Sequence, residues 1–145
     1  MDLDPGARAA PLRAACGQTA AQGVILLDTN AVIWLAQGHR RVASLASGVR
    51  RLHVSPVNFL ELQFLIESGR VRLRGIGLDT LAHDQRWVLD DPPSADWFQH
   101  AWGLTWTRDP FDRLLVAHAR LRGWKLATAD SVVLDNLDAS QTVAL

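Results

Sequence analysis

The sequence predicts an α/β fold in which helices cover both faces of a central, mostly parallel sheet of about five strands. Short apolar runs of strand length alternate with longer helical segments along the chain. This alternation is typical of right-handed crossovers between parallel strands, giving three layers in the order α/β/α. The chain has 145 residues, 48% of them hydrophobic, which is enough for one compact domain with its own core.

The first strand and helix follow an Ala-, Arg-, Gly- and Pro-rich segment, residues 1–23, which has no apolar period and predicts a flexible N-terminal arm. Val24 to Leu27 form an apolar run of buried-strand length, and residues 31–37 predict a helix that ends before a glycine. Residues 24–145 are therefore expected to form the folded domain.

The same unit recurs along the rest of the chain, with helix starts marked by capping residues or proline. Strands are expected at residues 52–55, 87–89, 125–128 and 142–145, and helices at residues 57–68, 78–86, 94–102, 110–122 and 131–136. Open parallel sheets bind ligands beyond the carboxyl ends of their strands. Functional side chains are therefore expected at that edge.

Asp28 and Asp130 each follow a predicted strand. Asp28 comes directly after the first strand, and Asp130 lies two residues after the strand at 125–128. The alternative for Asp28 is a purely structural role as a helix N-cap, a frequent position for Asp. Because Thr29 or Asn30 could supply that cap instead, we interpret Asp28 as functional.

Two further aspartates open the helix predicted at residues 110–122. Asp109 precedes a proline and fits the N-cap position. Asp112 falls one turn into the helix, on the same side as Leu115 and Val116. We therefore assign Asp109 to structure and Asp112 to chemistry.

Glu61 interrupts an apolar stripe on the helix predicted at residues 57–68. The stripe has the i, i+3, i+4, i+7 spacing of one helix face and consists of Val57, Leu60, Glu61, Phe64 and Leu65. An ionised carboxylate on a buried face is unfavourable unless it is paired or binds a cation. We expect either a cation or, as the alternative, an arginine beside Glu61.

The sequence thus brings four acids, from four separate segments, to one edge of the predicted sheet. Gathered carboxylates repel one another, and hard divalent cations that prefer oxygen ligands keep them ionised together. Such ions can activate a water molecule and stabilise the leaving oxygen of a phosphodiester. Asp28, Glu61, Asp112 and Asp130 are therefore the candidate metal ligands of a phosphodiester-hydrolysing site.

Several other classes of protein fit poorly. A single cysteine excludes a disulfide framework and a thiolate zinc site, and the five histidines lack zinc-site spacing. The sequence contains neither a Gly-x-Ser-x-Gly elbow nor a Gly-rich phosphate loop. Its apolar runs are far shorter than a membrane span, and no signal-like segment precedes them. We expect a cytoplasmic protein with no membrane association.

Four segments resemble the PIN domain, specifically the VapC-type toxins of bacterial toxin–antitoxin pairs. In family order they are Leu-Leu-Asp-Thr-Asn (26–30), Val-Ser-Pro-Val-Asn-Phe-Leu-Glu-Leu (54–62), Asp-Pro-Phe-Asp-Arg-Leu-Leu-Val-Ala (109–117) and Ala-Thr-Ala-Asp (127–130). The resemblance implies a Mg²⁺- or Mn²⁺-dependent endoribonuclease whose acids match the four candidates. It also implies a homodimer that is inhibited by a small cognate antitoxin.

The resemblance also points to residues around the four acids. Thr29, Asn30 and Thr128 lie beside two of the acids in the sequence and are candidates to orient them. The chain is neutral overall, but residues 28–75 contain seven Arg against three acidic residues. A basic face could bind RNA, although a solvated surface explains single arginines equally well. Arg40, Arg41 and Arg113 are candidate RNA contacts.

Other functions remain open on the sequence alone. A phospho-aspartate at Asp28 would suit a phosphatase or a receiver domain. A phosphatase of that type needs a second Asp where Asn30 stands, and the single lysine, Lys125, opens a strand where a receiver needs it after one. A PIN nuclease of RNA processing, or a PIN-like module that binds RNA or protein without cutting, are the remaining alternatives.

Overall fold

The computed structural model describes residues 23–46 and 50–145. Within them lies a five-stranded sheet in which every strand pair is parallel, with the strand order β3-β2-β1-β4-β5. The strands are β1 (Val24–Leu27), β2 (Arg51–Val54), β3 (Val88–Leu89), β4 (Lys125–Thr128) and β5 (Thr142–Ala144). The predicted three-layer α/β fold is confirmed. Of the expected arm, residues 1–22 lie outside the described residues.

Seven helices connect and cover these strands in the described parts of the chain. They are α1 (Thr29–Gln37), α2 (Ala43–Ala46), α3 (Pro56–Glu67), α4 (Leu78–Ala82), α5 (Ser94–Trp102), α6 (Pro110–Arg122) and α7 (Ser131–Asn136). Two 3₁₀ turns, Arg40–Val42 and Ala139–Gln141, complete the regular structure. None of these helices has the length and apolar character that a bilayer crossing requires.

The sheet separates two apolar cores because successive side chains of a strand point to opposite faces. In β1, Ile25 and Leu27 pack into one core, together with Val32 of α1 and Leu62 of α3. Leu26 faces the other core, which α5 and α6 supply. Since β1 is central and buried on both faces, its carboxyl end is held at the middle of the sheet edge.

Several predicted boundaries differ from the structure by one or more residues, and local hydrogen bonds explain three of the differences. The helix expected at residues 31–37 begins at Thr29 because Asp28 caps it. The second strand ends at Val54, since the Ser55 side chain accepts from Val57 N and caps α3. The helix expected at 78–86 ends at Ala82, beyond which the Asp84 side chain accepts from Arg86 N at 2.9 Å and closes a turn.

Candidate functional site

The first feature of the site is the junction between β1 and β4. Leu27 pairs with Ala127, and the backbone N–H of Asp28 donates to the Ala127 carbonyl at 3.0 Å, which extends the ladder beyond β1. Asp28 therefore lies beside the chain segment that leads from Thr128 to Asp130. The two strands thus bring two of the predicted acids together at the carboxyl edge of the sheet.

The Asp28 carboxylate is almost enclosed, with 9% of the residue exposed. It accepts from the Ala31 N–H at 2.7 Å as the N-cap of α1, so the capping role and the position at the sheet edge belong to the same residue. Thr29 and Asn30 lie inside the helix and do not supply the cap. Burial raises the Asp28 pKa from 3.8 to about 6, opposed by the Thr128 hydroxyl and reinforced by the charge of Asp130.

Asp130 occupies the equivalent position after β4. Its carboxylate accepts from the N–H groups of Val132 at 2.8 Å and Val133 at 3.2 Å, which makes it the N-cap of α7. Its own N–H donates to the Thr128 hydroxyl oxygen at 3.0 Å. Both strand-following aspartates are therefore fixed by backbone hydrogen bonds.

Glu61 reaches the same edge from α3. The Thr29 hydroxyl donates a hydrogen bond to its Oε1, and among the described residues no Arg or Lys forms an ion pair with it. Its pKa is raised, chiefly by burial and further by the charges of Asp109, Asp28 and Asp130, while the hydrogen bond from Thr29 opposes the rise. The alternative prediction for Glu61, an arginine partner, is therefore wrong for the part of the chain that the structure describes.

The apolar stripe around Glu61 is only partly buried, which corrects the prediction made for that helix face. Leu60 is 55% exposed and Phe64 is 50% exposed, whereas Val57 is buried. Leu62, which lies outside the stripe, is the side chain of α3 that the core fully encloses. Glu61 consequently lies at the rim of the core, within reach of a ligand.

Asp112 and Asp109 have the separate positions that the sequence indicates. The Asp109 carboxylate caps α6 by accepting from Phe111 N at 2.8 Å and Asp112 N at 3.3 Å. Asp112 lies one turn further and is half-buried. Burial raises the Asp112 pKa from 3.8 to about 7, with further contributions from the charges of Asp109 and Asp130. Asp109 thus caps the helix and also adds negative charge to the cluster.

The four predicted acids form one electrostatic cluster. The charge of Asp130 raises the pKa of each of the other three, and Asp28 and Glu61 act on Asp112 in the same direction. In the described parts of the chain, none of the four forms an ion pair with Arg or Lys. The structure therefore brings the four acids within range of one another's charge.

This donor set suits a hard divalent cation. All four side chains offer carboxylate oxygens, the ligands that Mg²⁺ and Mn²⁺ prefer. A cation would also relieve the repulsion that contributes to the raised pKa values of Asp28, Glu61 and Asp112. Among residues 23–46 and 50–145, no three His, Cys, Asp or Glu side chains are grouped closely enough to hold a cation as they stand. Binding would therefore require these carboxylates to move closer together.

Comparison of the sequence with models of protein families gives a match over most of the chain. The model of the PIN domain matches residues 25–139, which include all of β1 except its first residue, β4 and all four acids. The chain belongs to the PIN domain family. PIN domains are generally metal-dependent nucleases, so the family gives this chain a nuclease-type fold. No curated protein matches the chain closely enough to serve as a named relative.

Asn58 is a residue of this PIN domain that the sequence analysis did not single out. It is fully buried, and its Nδ2 donates to the Leu27 carbonyl at 3.1 Å and to the Thr29 hydroxyl oxygen at 3.3 Å. Its Oδ1 accepts from Ser55 N at 2.7 Å, completing a capping box. The Ser-x-x-Asn spacing at a helix start is a signal that could have identified it. Through these hydrogen bonds Asn58 connects β1, α1 and α3, and it lies one helical turn before Glu61 on α3.

The candidate RNA contacts lie in two different places. Arg113 adjoins Asp112 on α6, and its Nε donates to the Thr107 carbonyl at 2.7 Å. Arg40 and Arg41 are exposed on the 3₁₀ turn after α1. Because Asp28 caps the start of α1 and the nine residues of this helix span about 13 Å, the pair lies at the opposite end of α1 from Asp28.

A second ionic cluster, which contains none of the four acids, was not predicted. The Arg122 guanidinium binds the Asp90 carboxylate through Nε at 2.8 Å and Nη2 at 3.1 Å, and the Nε2 of His118 lies 2.7 Å from the same carboxylate. His118 is fully buried, and burial lowers its pKa. Hydrogen bonds from Arg122 and His118 lower the pKa of Asp90 against the opposing effect of burial. The cluster joins the end of β3 to α6.

Proposed function

We propose that this PIN domain is a divalent-metal-dependent endoribonuclease and the toxin of a toxin–antitoxin pair. The observation that carries the nuclease proposal is the convergence of four carboxylates, from four separate elements, without a cationic partner among the described residues. Mutual repulsion between carboxylates is unfavourable for folding. A bound cation would offset this repulsion, and the relief of the repulsion would favour binding of the cation.

Asp28, Glu61, Asp112 and Asp130 are the residues that would hold Mg²⁺ or Mn²⁺. When bound, the cation would lower the pKa of a coordinated water and offset negative charge on the phosphate. The chain itself positions the ligands. The Ala31 N–H orients Asp28, the helix α7 N–H groups orient Asp130, and the Thr29 hydroxyl orients Glu61.

The toxin assignment rests on the four sequence segments that resemble the VapC-type toxins, together with membership of the PIN family. It implies a small cognate antitoxin as partner, a homodimer as the assembled form, and the cytoplasm as the place of action. The alternatives are a PIN nuclease of RNA processing and a PIN module that binds RNA or protein without cutting.

RNA cleavage by the purified protein tests the nuclease proposal. We expect cleavage of RNA with Mg²⁺ or Mn²⁺, loss of cleavage after chelation, and loss of cleavage in Asp28→Asn. Asp96→Asn is the matched control, because Asp96 is exposed on α5, outside the cluster. Full activity in Asp28→Asn would overturn the proposal. A folded wild-type protein that binds no Mn²⁺ in calorimetry at millimolar concentration would favour the non-cutting module.

The toxin assignment has its own test. Expression of the wild-type chain should arrest bacterial growth, and co-expression of a small DNA-binding protein encoded directly upstream should restore it. The Asp28→Asn variant should not arrest growth at the same expression level. Growth without arrest, combined with RNA cleavage in vitro, would instead favour a nuclease of RNA processing.

A further inference from the structure

Two aromatic rings lie at the rim of the carboxylate cluster. Phe64 of α3 is 50% exposed, although large apolar side chains are usually enclosed. Its ring contacts that of Phe111 at the start of α6, with the ring centroids 5.6 Å apart and the planes tilted by 58°. The pair therefore presents aromatic surface to solvent in a fixed mutual geometry.

The helix position of Phe64 places the ring pair beside Glu61. Phe64 follows Glu61 by three residues, so the two side chains lie on neighbouring positions of one helix face. Phe111, at the start of α6, joins this rim through its contact with Phe64. The ring pair therefore lies next to the Glu61 side of the carboxylate cluster.

The chemistry of the rim favours a base as the ligand of these rings. A cation at the carboxylates would offset the charge of the phosphate there, and the Arg113 Nε already donates to the Thr107 carbonyl. The base beside that phosphate would still need contacts that do not depend on charge. Stacking of a base on an aromatic side chain supplies them, and it requires a base that is free of a helical partner.

We propose that Phe64 and Phe111 form a stacking site for an unpaired nucleobase next to the phosphodiester at the carboxylate cluster. This inference rests on the proposed nuclease function and adds to it two residues of this chain that would contact the base beside the phosphodiester. Because every base offers an aromatic face, the site selects unpaired structure more than base identity.

Equilibrium binding tests the stacking site independently of cleavage. Fluorescence anisotropy is measured with a labelled unpaired RNA of about twelve nucleotides, within the range that such grooves cover, and with the same strand in a duplex. Asp28→Asn serves as the background so that the RNA stays intact. Phe64→Leu and Phe111→Leu each keep apolar volume but remove the ring. We expect each to weaken binding of the unpaired strand about five- to tenfold and to change duplex binding little.

The control is Phe98→Leu, because Phe98 is similarly exposed, at 49%, on α5. Its affinity for the unpaired strand should stay within about twofold of the background protein. The stacking site would be overturned if Phe64→Leu bound the unpaired strand as tightly as the background protein does. It would also be overturned if Phe64→Leu lost equal affinity for the unpaired strand and for the duplex. Light scattering adds a further decision, since a dimer that becomes a monomer in Phe64→Leu would assign the ring pair to an interface between copies of the chain.

The test separates this inference from the nuclease proposal. Loss of unpaired-strand affinity in Phe64→Leu supports the stacking site even where the wild-type protein leaves RNA uncut. Conversely, if the wild-type protein cleaves RNA but neither Phe→Leu replacement changes RNA affinity, the nuclease proposal stands and the stacking site is refuted.

Discussion

Replacement of Asp28 by Asn should stabilise the metal-free protein even though it removes a predicted metal ligand. Burial, reinforced by the charge of Asp130, raises the pKa of Asp28 from 3.8 to about 6, which corresponds to about 3 kcal/mol against the ionised form in the folded chain, at about 1.36 kcal/mol per pKa unit. Asn has almost the same shape and carries no charge. Its side-chain oxygen can still accept from Ala31 N, and the pKa of about 6 already includes the effect of that hydrogen bond on the carboxylate. The remaining cost is the imperfect fit of the amide, about 1 kcal/mol for a typical substitution.

The net expectation is a gain of about 1–2 kcal/mol in the free energy of unfolding at about pH 7.5, in the presence of EDTA. The sign follows from linkage. Because the folded protein binds the Asp28 proton more tightly than the unfolded chain does, the wild-type protein loses stability as pH rises from about 4 to about 6. Below about pH 4 the carboxyl is protonated in both states, so the stability advantage of the Asp28→Asn variant should vanish there.

Urea unfolding followed by tryptophan fluorescence measures this difference, since Trp87 and Trp97 are buried and report on both cores. Asp96→Asn is the control and should change the free energy of unfolding by less than about 0.5 kcal/mol. Destabilisation of Asp28→Asn at about pH 7.5, or a gain of the same size at about pH 3.5, would refute the reasoning from burial and repulsion.

Three further predictions concern other parts of the structure. Asn58→Ala should lower the free energy of unfolding by about 2–3 kcal/mol in urea titrations, because it leaves the buried Leu27 carbonyl and Ser55 N–H without their side-chain partner. Arg122→Gln should lower the free energy of unfolding by about 1–2 kcal/mol at about pH 7. Because Arg122 holds the pKa of Asp90 below its usual value, this loss of stability should become smaller in urea titrations at lower pH, where Asp90 is protonated. Mg²⁺ at about a hundred times its dissociation constant should raise the stability of the wild-type protein by about 2.7 kcal/mol in thermal or urea unfolding, and should leave Asp28→Asn nearly unchanged.

The sheet and the edge that carries the acids could be predicted from the sequence because their signals are local. Val24–Leu27 is four apolar residues followed at once by Asp28, and the parallel order of strands then fixes where Asp28 must lie. Asp109 and Asp112 could be told apart because proline favours the first helical position, which leaves the residue before it as the cap. In both cases a few consecutive residues favour one local conformation, so the sequence alone predicts it.

The surroundings of Glu61 could not be predicted, because they depend on packing between distant segments. The apolar stripe on α3 suggests a buried face, yet the sheet covers Leu62 and leaves Leu60 exposed. Likewise, Thr29 becomes the partner of Glu61 only after α1 and α3 pack together, across 32 residues of sequence. Helical period identifies a face of a helix but not which neighbour covers it.

Asp112 differs from the other acids in how the fold holds it. Asp28 and Asp130 accept from N–H groups at helix starts, and Glu61 accepts from a hydroxyl. Within the described residues, no hydrogen bond reaches the Asp112 carboxylate, and its pKa is raised to about 7. A carboxylate without protein partners can adjust its position to a ligand more easily than the other three, which hydrogen bonds from the protein restrain.

It follows that Asp112→Asn separates ligand binding from folding better than any other replacement in the cluster. No local hydrogen bond of the carboxylate is lost and a repelled charge is removed, so the metal-free variant should be at least as stable as the wild-type protein in urea. Calorimetry with Mn²⁺ should nevertheless show weaker binding. Unchanged Mn²⁺ affinity in a folded Asp112→Asn protein would assign the cation to the other three acids and leave Asp112 as a neighbour that does not bind it.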